Sequence, residues 1–158
     1  MSIYERSRKN SHLDTIWYEI TMVTFCYREF KNRQECSELE RNLLIEGFLL
    51  HYRNIVEFFS GKKHRKATDA KPADLSTADS KVWGGRSLTN EELSSMQVAA
   101  RELEDTYFDD ISQFLQHCTE RRFAEFKGWK VDEMAKKLKP ILSAFSKSFP
   151  SQQQPHRT

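Results

Sequence analysis

Apolar residues recur at spacings of three and four over most of the chain, and polar residues fill the positions between them. From Asp14 onward Ile16, Trp17, Ile20, Val23 and Tyr27 share one face of a 3.6-residue period, which predicts a helix with Asp14 as its N-cap. Lys31, Asn32 and Arg33 read as a short connection. A second helix is expected from Gln34 to Phe59. Its apolar stripe is Leu39, Leu43 and Leu50, widened by Phe48, Ile55, Phe58 and Phe59, and Gly61 stands just past its end as a C-terminal cap. Residues 61–88 then lose the pattern, and Lys, Asp, Ala, Ser and Thr dominate, with Pro72 and the Gly84–Gly85 pair. A loop of that length is expected to be mobile, with Trp83 anchoring it on the bundle.

Thr89 and Glu92 have the spacing of a capping box, so a third helix begins there and runs through Leu93, Met96, Val98, Ala100 and Leu103. The stretch Asp105–Asp110 reads as a kink or short break, after which Ile111, Phe114, Leu115 and Cys118 continue a stripe to about Phe123. A last helix starts near Val131, with Met134, Leu138, Ile141, Leu142 and Phe145 as its stripe, and Pro140 is expected to kink it. The pattern therefore describes an all-α bundle of four to five helices with a long mobile loop between the second and third. Its organisation is a flexible N-terminus at 1–13, one helical domain at 14–149 with a mobile insertion at 61–88, and a disordered tail at 150–158.

Composition narrows the class. The chain has 158 residues, enough for one domain, and its 38% hydrophobic share, rich in Phe, supports an aromatic core. A net charge of +2 makes no bulk demand for a nucleic-acid partner. Cys26, Cys36 and Cys118 form no CxxC pair, and reduced thiols in the cytoplasm are the expectation. The opening residues lack the apolar core of a signal peptide, and the most apolar run, Leu43–Leu50, is interrupted by Glu46, so no membrane partner is expected.

Two segments carry polar groups that an apolar helix has to account for. In Glu46-Gly-Phe-Leu-Leu-His51-Tyr-Arg53-Asn54, Glu46 and Arg53 stand two turns apart, and Arg53 and Glu57 are spaced i,i+4. This is either a ladder of ion pairs or a polar cleft. In Gln113–Arg122, His117 and Arg121 are spaced i,i+4, with Thr119 between them. An imidazole beside a guanidinium suits a phosphodiester, because Arg forks onto phosphate and His moves protons near neutral pH. The same pair also serves as a structural hydrogen-bonding unit. Pooling Glu46, His51, Arg53, Asn54, His117, Thr119 and Arg121 into one polar cleft satisfies groups that are costly to bury singly. The basic run Lys62, Lys63, Arg65 and Lys66 is a solvated loop or a nucleic-acid patch. No metal-ligand, nucleotide-binding or nucleophile motif is present, so no metal or cofactor is implied.

The phrase EGFLLHYRN at 46–54, the polar loop with Trp83, and ISQFLQHCTERR at 111–122 together resemble a group of uncharacterised bacterial helical proteins. Their corresponding helices read E-S-F-L-L-H-x-R-N and I-x-x-x-I-x-H-L-T-x-x-R, and they are similar in turn to the HEPN superfamily of helical bundles. Gly47 stands where that pattern has Ser, and Cys118 where it has Leu. The resemblance implies a bundle fold and a homodimer. It also implies a site of Arg followed by His for those members that cleave RNA. The two motif segments do not meet that order: Phe58, Phe59 and Ser60 follow Arg53, and Arg121 comes after His117, while Arg6 to His12 has the spacing but lies in the N-terminal end expected to fray. The expected function is a non-catalytic, partner-binding bundle, dimeric, with a protein or RNA partner. The alternative is a divergent RNA-binding or RNA-cleaving protein using His51, Arg53, His117 and Arg121.

Overall fold

Each helix begins and ends where the local chemistry allows. The computed structural model describes residues 3–61, 88–116 and 128–148, with side chains from Thr15 onward. Helix α1 spans Ile3–Asn32, so Asp14 lies inside it and is not its cap. Helix α2 spans Glu38–Ser60 and is about 35 Å long at 1.5 Å per residue. Its start is set by a capping box. The Ser37 hydroxyl accepts from the Glu40 amide at 3.2 Å, and the Glu40 carboxylate accepts from the Ser37 amide at 2.8 Å. Its end is set by Gly61 in the left-handed region at φ 64°, as the pattern predicts.

Helix α3 spans Asn90–Ile111 behind the predicted Thr89–Glu92 box, whose two hydrogen bonds measure 2.9 and 3.2 Å. It passes through Asp105–Asp110 without a break, and the irregularity comes later as a π-helical turn at Ser112–Gln116. Helix α4 spans Val131–Ser148 and takes Pro140 within its length. The described residues form four α-helices and no strand. The fold is all-α, and no described helix is long and apolar enough to cross a membrane.

Helices α1 and α2 form an antiparallel hairpin across the connection 33–37. Helix α3 packs on the other flank of α2, and α4 closes the core against all three. Rings from every helix meet inside. Trp17 of α1 lies 5.1 Å from Phe145 of α4, and Phe145 lies 5.8 Å from Phe59 of α2. Tyr52 stands 5.6 Å from Phe48 on its own helix and 6.1 Å from Tyr107 of α3. These are the offset and edge-on distances that aromatic pairs favour.

The stripe expected on α2 is corrected. Phe48, Tyr52, Ile55 and Phe59 are buried, whereas Leu39 and Leu43 are 81% and 69% exposed and Leu50 is exposed with them. Val98 of α3 is also exposed, against expectation. Two apolar stripes on opposite sides of α2 share the same period. The aromatic one fills the core because it removes more apolar area from water.

The ends of α4 and α1 are fastened by polar bonds at the rim of the core. Tyr27 donates to Asp132 at 2.9 Å, beside Lys31 at 3.1 Å, and Tyr107 donates to Glu133 at 2.9 Å, beside Lys137 at 3.0 Å. Asp132 and Glu133 are the acids of the first turn of α4, where the helix dipole favours negative charge. These bonds hold the two carboxyls below their usual range: Tyr27 and Lys31 do so for Asp132, and Lys137 and Tyr107 for Glu133. Their contribution is therefore present above the ordinary carboxylate range and is lost as pH falls through the lowered values.

Gly47 allows the hairpin to close. A Cβ at this position would stand 2.9 Å from the buried Cys26 sulfur. Replacement by alanine gains helix propensity of about 1 kcal/mol but forces an overpacked contact costing about 1–3 kcal/mol. Gly47→Ala is therefore expected to lower stability in urea unfolding. In a Cys26→Ala background the same substitution is expected to raise it. A stabilising Gly47→Ala in the otherwise unaltered chain would show that the helices have room to spare.

Candidate functional site

The buried polar cluster centres on a residue that the sequence pattern does not mark. On α1, Glu19 alternates with the core positions Trp17 and Ile20 and faces α2. Its Oε2 accepts from His51 Nδ1 at 2.7 Å and from Asn54 Nδ2 at 3.1 Å. His51 is buried and Glu19 is nearly so. Because the carboxylate only accepts, the imidazole carries a proton on Nδ1 in this arrangement. The Tyr18 ring meets the imidazole edge-on at 5.7 Å. The three side chains satisfy one another across the hairpin, the condition for burying them at tolerable cost.

The other expected members of the cleft divide. Arg53 turns away from Glu19 toward α3, where its guanidinium lies 4.6 Å from the Phe108 ring centroid, within cation–π range. Glu46 is exposed and does not join the cluster. The structure thus brings His51 and Asn54 together at Glu19 and places Glu46 and Arg53 apart from it. His117, Thr119 and Arg121 lie outside the described residues, as do Lys62, Lys63, Arg65, Lys66, Trp83 and Cys118. Glu19 was missed because its partners are 32 and 35 positions away. The available signal was an acid set between Trp17 and Ile20, opposite a helix bearing His51.

Among the described residues no group of three or more His, Cys, Asp or Glu side chains could hold a metal ion. Cys26 and Cys36 are free thiols, and burial pushes the Cys26 thiol up, away from reactivity. An open groove of about 510 Å³ between α3 and α4 has an apolar floor of Met96, Ala99, Pro140 and Ile141. Its rim acids, Glu91 and Glu92, stand at the start of α3, and Glu92 is engaged in the cap. Tyr52 is enclosed among Phe48 and Tyr107, and burial pushes its phenol far above the ordinary value, with Tyr107 and Glu133 adding to the rise.

The second unusual feature is apolar and exposed. Leu39, Leu43 and Leu50 run along the outer side of α2, and Tyr18 and Phe25, two turns apart, run along the outer side of α1. The contacts Glu19–His51 and Gly47–Cys26 put Leu50 at the level of Tyr18 and Phe25, with Leu43 and Leu39 nearer the connection of the hairpin. The hairpin thus carries exposed apolar residues of both helices on the side turned away from the core. Exposed apolar residues scattered singly are ordinary; here five large ones stand on the outer sides of two adjacent helices. Searches against protein-family models, curated proteins and solved structures find no match for this chain.

Two outcomes test the buried groups. His51→Ala is expected to cost about 2–3 kcal/mol, and a double-mutant cycle with Glu19→Gln should give a coupling of about 1.5–3 kcal/mol in urea unfolding. A coupling of zero would remove the cluster as a structural unit. In an alkaline titration, Tyr52 is expected to form phenolate only when the fold opens, because a raised value keeps the phenol protonated through the pH range in which a free one ionises. Tyr52→Phe should delete that late absorbance step and leave earlier ones in place.

Proposed function

We propose that this chain is a non-catalytic, HEPN-like helical bundle of the cytoplasm that works by holding a protein partner on the outer face of its α1–α2 hairpin. The observation that carries this reading is the exposed row Leu39, Leu43 and Leu50 beside Tyr18 and Phe25. A helix that already fills the core with one apolar stripe gains nothing for its own fold from a second stripe in water. A partner helix laid along such a surface reads apolar anchors at spacings of four and seven, as these leucines are arranged.

The RNA reading rests on His51, Arg53, His117 and Arg121, and the geometry of the first two does not favour it. His51 is enclosed and held by a carboxylate, which repels a phosphodiester, and Arg53 lies over Phe108. The polar cluster is better understood as the internal fastening of the hairpin that presents the surface.

A photoreactive amino acid in place of Leu43 is expected to crosslink a polypeptide in cells that make the protein. The same probe in place of Lys136, exposed on α4, is expected to give none. Equal crosslinking at the two positions, or none at Leu43, would overturn the reading.

A further inference from the structure

We infer that the groove between α3 and α4 is a binding site for a small cationic amphiphile, a ligand with an aliphatic or aromatic body and one amine. The two helices run antiparallel, and one end of the pair is fastened. There Tyr107 donates to Glu133 at 2.9 Å, and Lys137 pairs with the same carboxylate at 3.0 Å. Toward the other end the walls are low, with Ser95 and Ala99 on α3 and Ala144 on α4, and the helices leave an open groove of about 510 Å³. Its floor of Met96, Ala99, Pro140 and Ile141 is apolar. Small-molecule sites have volumes of roughly 300–1,000 Å³, apolar linings and a few polar groups that fix orientation.

The polar groups of this groove select the charge of the ligand. Among the described residues, the charged side chains that line it are two carboxylates, Glu91 and Glu92. Glu92 is engaged by the Thr89 cap, where it accepts from the backbone amide at 2.9 Å. Glu91 is exposed, and its carboxylate has no hydrogen bond or ion pair with another described residue. Two full negative charges outweigh the partial positive charge that the start of α3 contributes. An amine beside Glu91 gains a charge-assisted hydrogen bond while its apolar body lies on Met96, Ala99 and Ile141. A carboxylate or phosphate in the same place meets like charge. An adjoining hollow over Ser94, Val98 and Glu102 shares Glu91, Ser95 and Ala99 with the groove. Val98 is 53% exposed there, so the same pairing of apolar surface with carboxylate continues along α3. The α1–α2 face contributes nothing to this site.

The test is titration of the isotope-labelled full chain with decylamine, which is cationic at neutral pH, followed by amide NMR shifts. Saturable shifts are expected at Ser95, Met96, Ala99, Ile141 and Ala144. Decanoate, of the same chain length and opposite charge, should bind more weakly by roughly fivefold or more. Glu91→Gln should weaken decylamine by roughly threefold to fivefold, the size of one partly exposed charge contact. Ser95→Phe, at an exposed position of the wall, should fill the groove and abolish saturation. Urea unfolding checks that both variants keep the fold, and Glu91→Gln alters no packing, so the charge test stands by itself. No saturable shift, shifts at Leu39, Leu43 and Leu50 in place of the groove, equal binding of decanoate, or indifference to Glu91→Gln would overturn the inference.

Discussion

Helix α2 has to bury an aromatic seam, and the remaining elements are placed by that requirement. Phe48, Tyr52 and Phe59 present more apolar area than one neighbour can cover. Helix α1 takes one flank, α3 the other, and Phe145 of α4 reaches in between to meet Phe59. Neighbours on three sides leave α2 one side in water. The polar groups on its flanks are answered by the helix they face: His51 and Asn54 by Glu19, Arg53 by Phe108, and the Ser60 carbonyl by Arg101 at 3.0 Å. The last contact puts a cation at the C-terminal end of α2, where the helix dipole favours it.

The flank contacts differ in kind, and the difference matters for specificity. An aromatic seam tolerates small sliding and rotation, because most of its attraction is burial of apolar area and only a minor part depends on ring geometry. A carboxylate accepting from two donors at fixed spacing tolerates neither. Glu19 thus sets the register of α1 on α2 in a way that the rings cannot. Gly47 complements this by letting the backbones approach until the Cys26 sulfur touches. One contact fixes the sliding and the other fixes the separation.

Much of this was legible in the sequence, for identifiable reasons. The Thr89–Glu92 box and Gly61 are local signals, since a cap acts within one turn, and both stand where expected. The stripe of α4 was legible because that helix has one apolar face, and that of α1 because its core face carries the longer apolar run, with only Tyr18 and Phe25 on the outer side. The face of α2 was not, because it has two, and a periodicity of 3.6 residues does not say which of them meets the core. The Ser37–Glu40 capping box, a local signal of the same kind, sets the start of α2 at Glu38, four residues after Gln34. Asp105–Asp110 suggested a break because acids crowd there, yet a solvated helix surface carries acids without penalty. The polar cluster was half legible. That His51 and Asn54 need partners follows from their helix; that Glu19 supplies them is a fact of tertiary packing between distant residues.

The bond from Tyr27 to Asp132 joins positions 105 apart in sequence. By contrast, the hairpin of α1 and α2 closes across a five-residue connection. Loop closure makes the near contact cheap and early, and the far one late. On a ribosome, the hairpin has its whole length in hand before α4 is made. Until then, the ring face meant for Phe145 and the leucine face on the other side are uncovered together. A nascent chain of this kind exposes apolar surface on two sides for the time it takes to synthesise the remainder. That interval, more than the stability of the finished bundle, is where a cell has to protect it from association with the wrong neighbour.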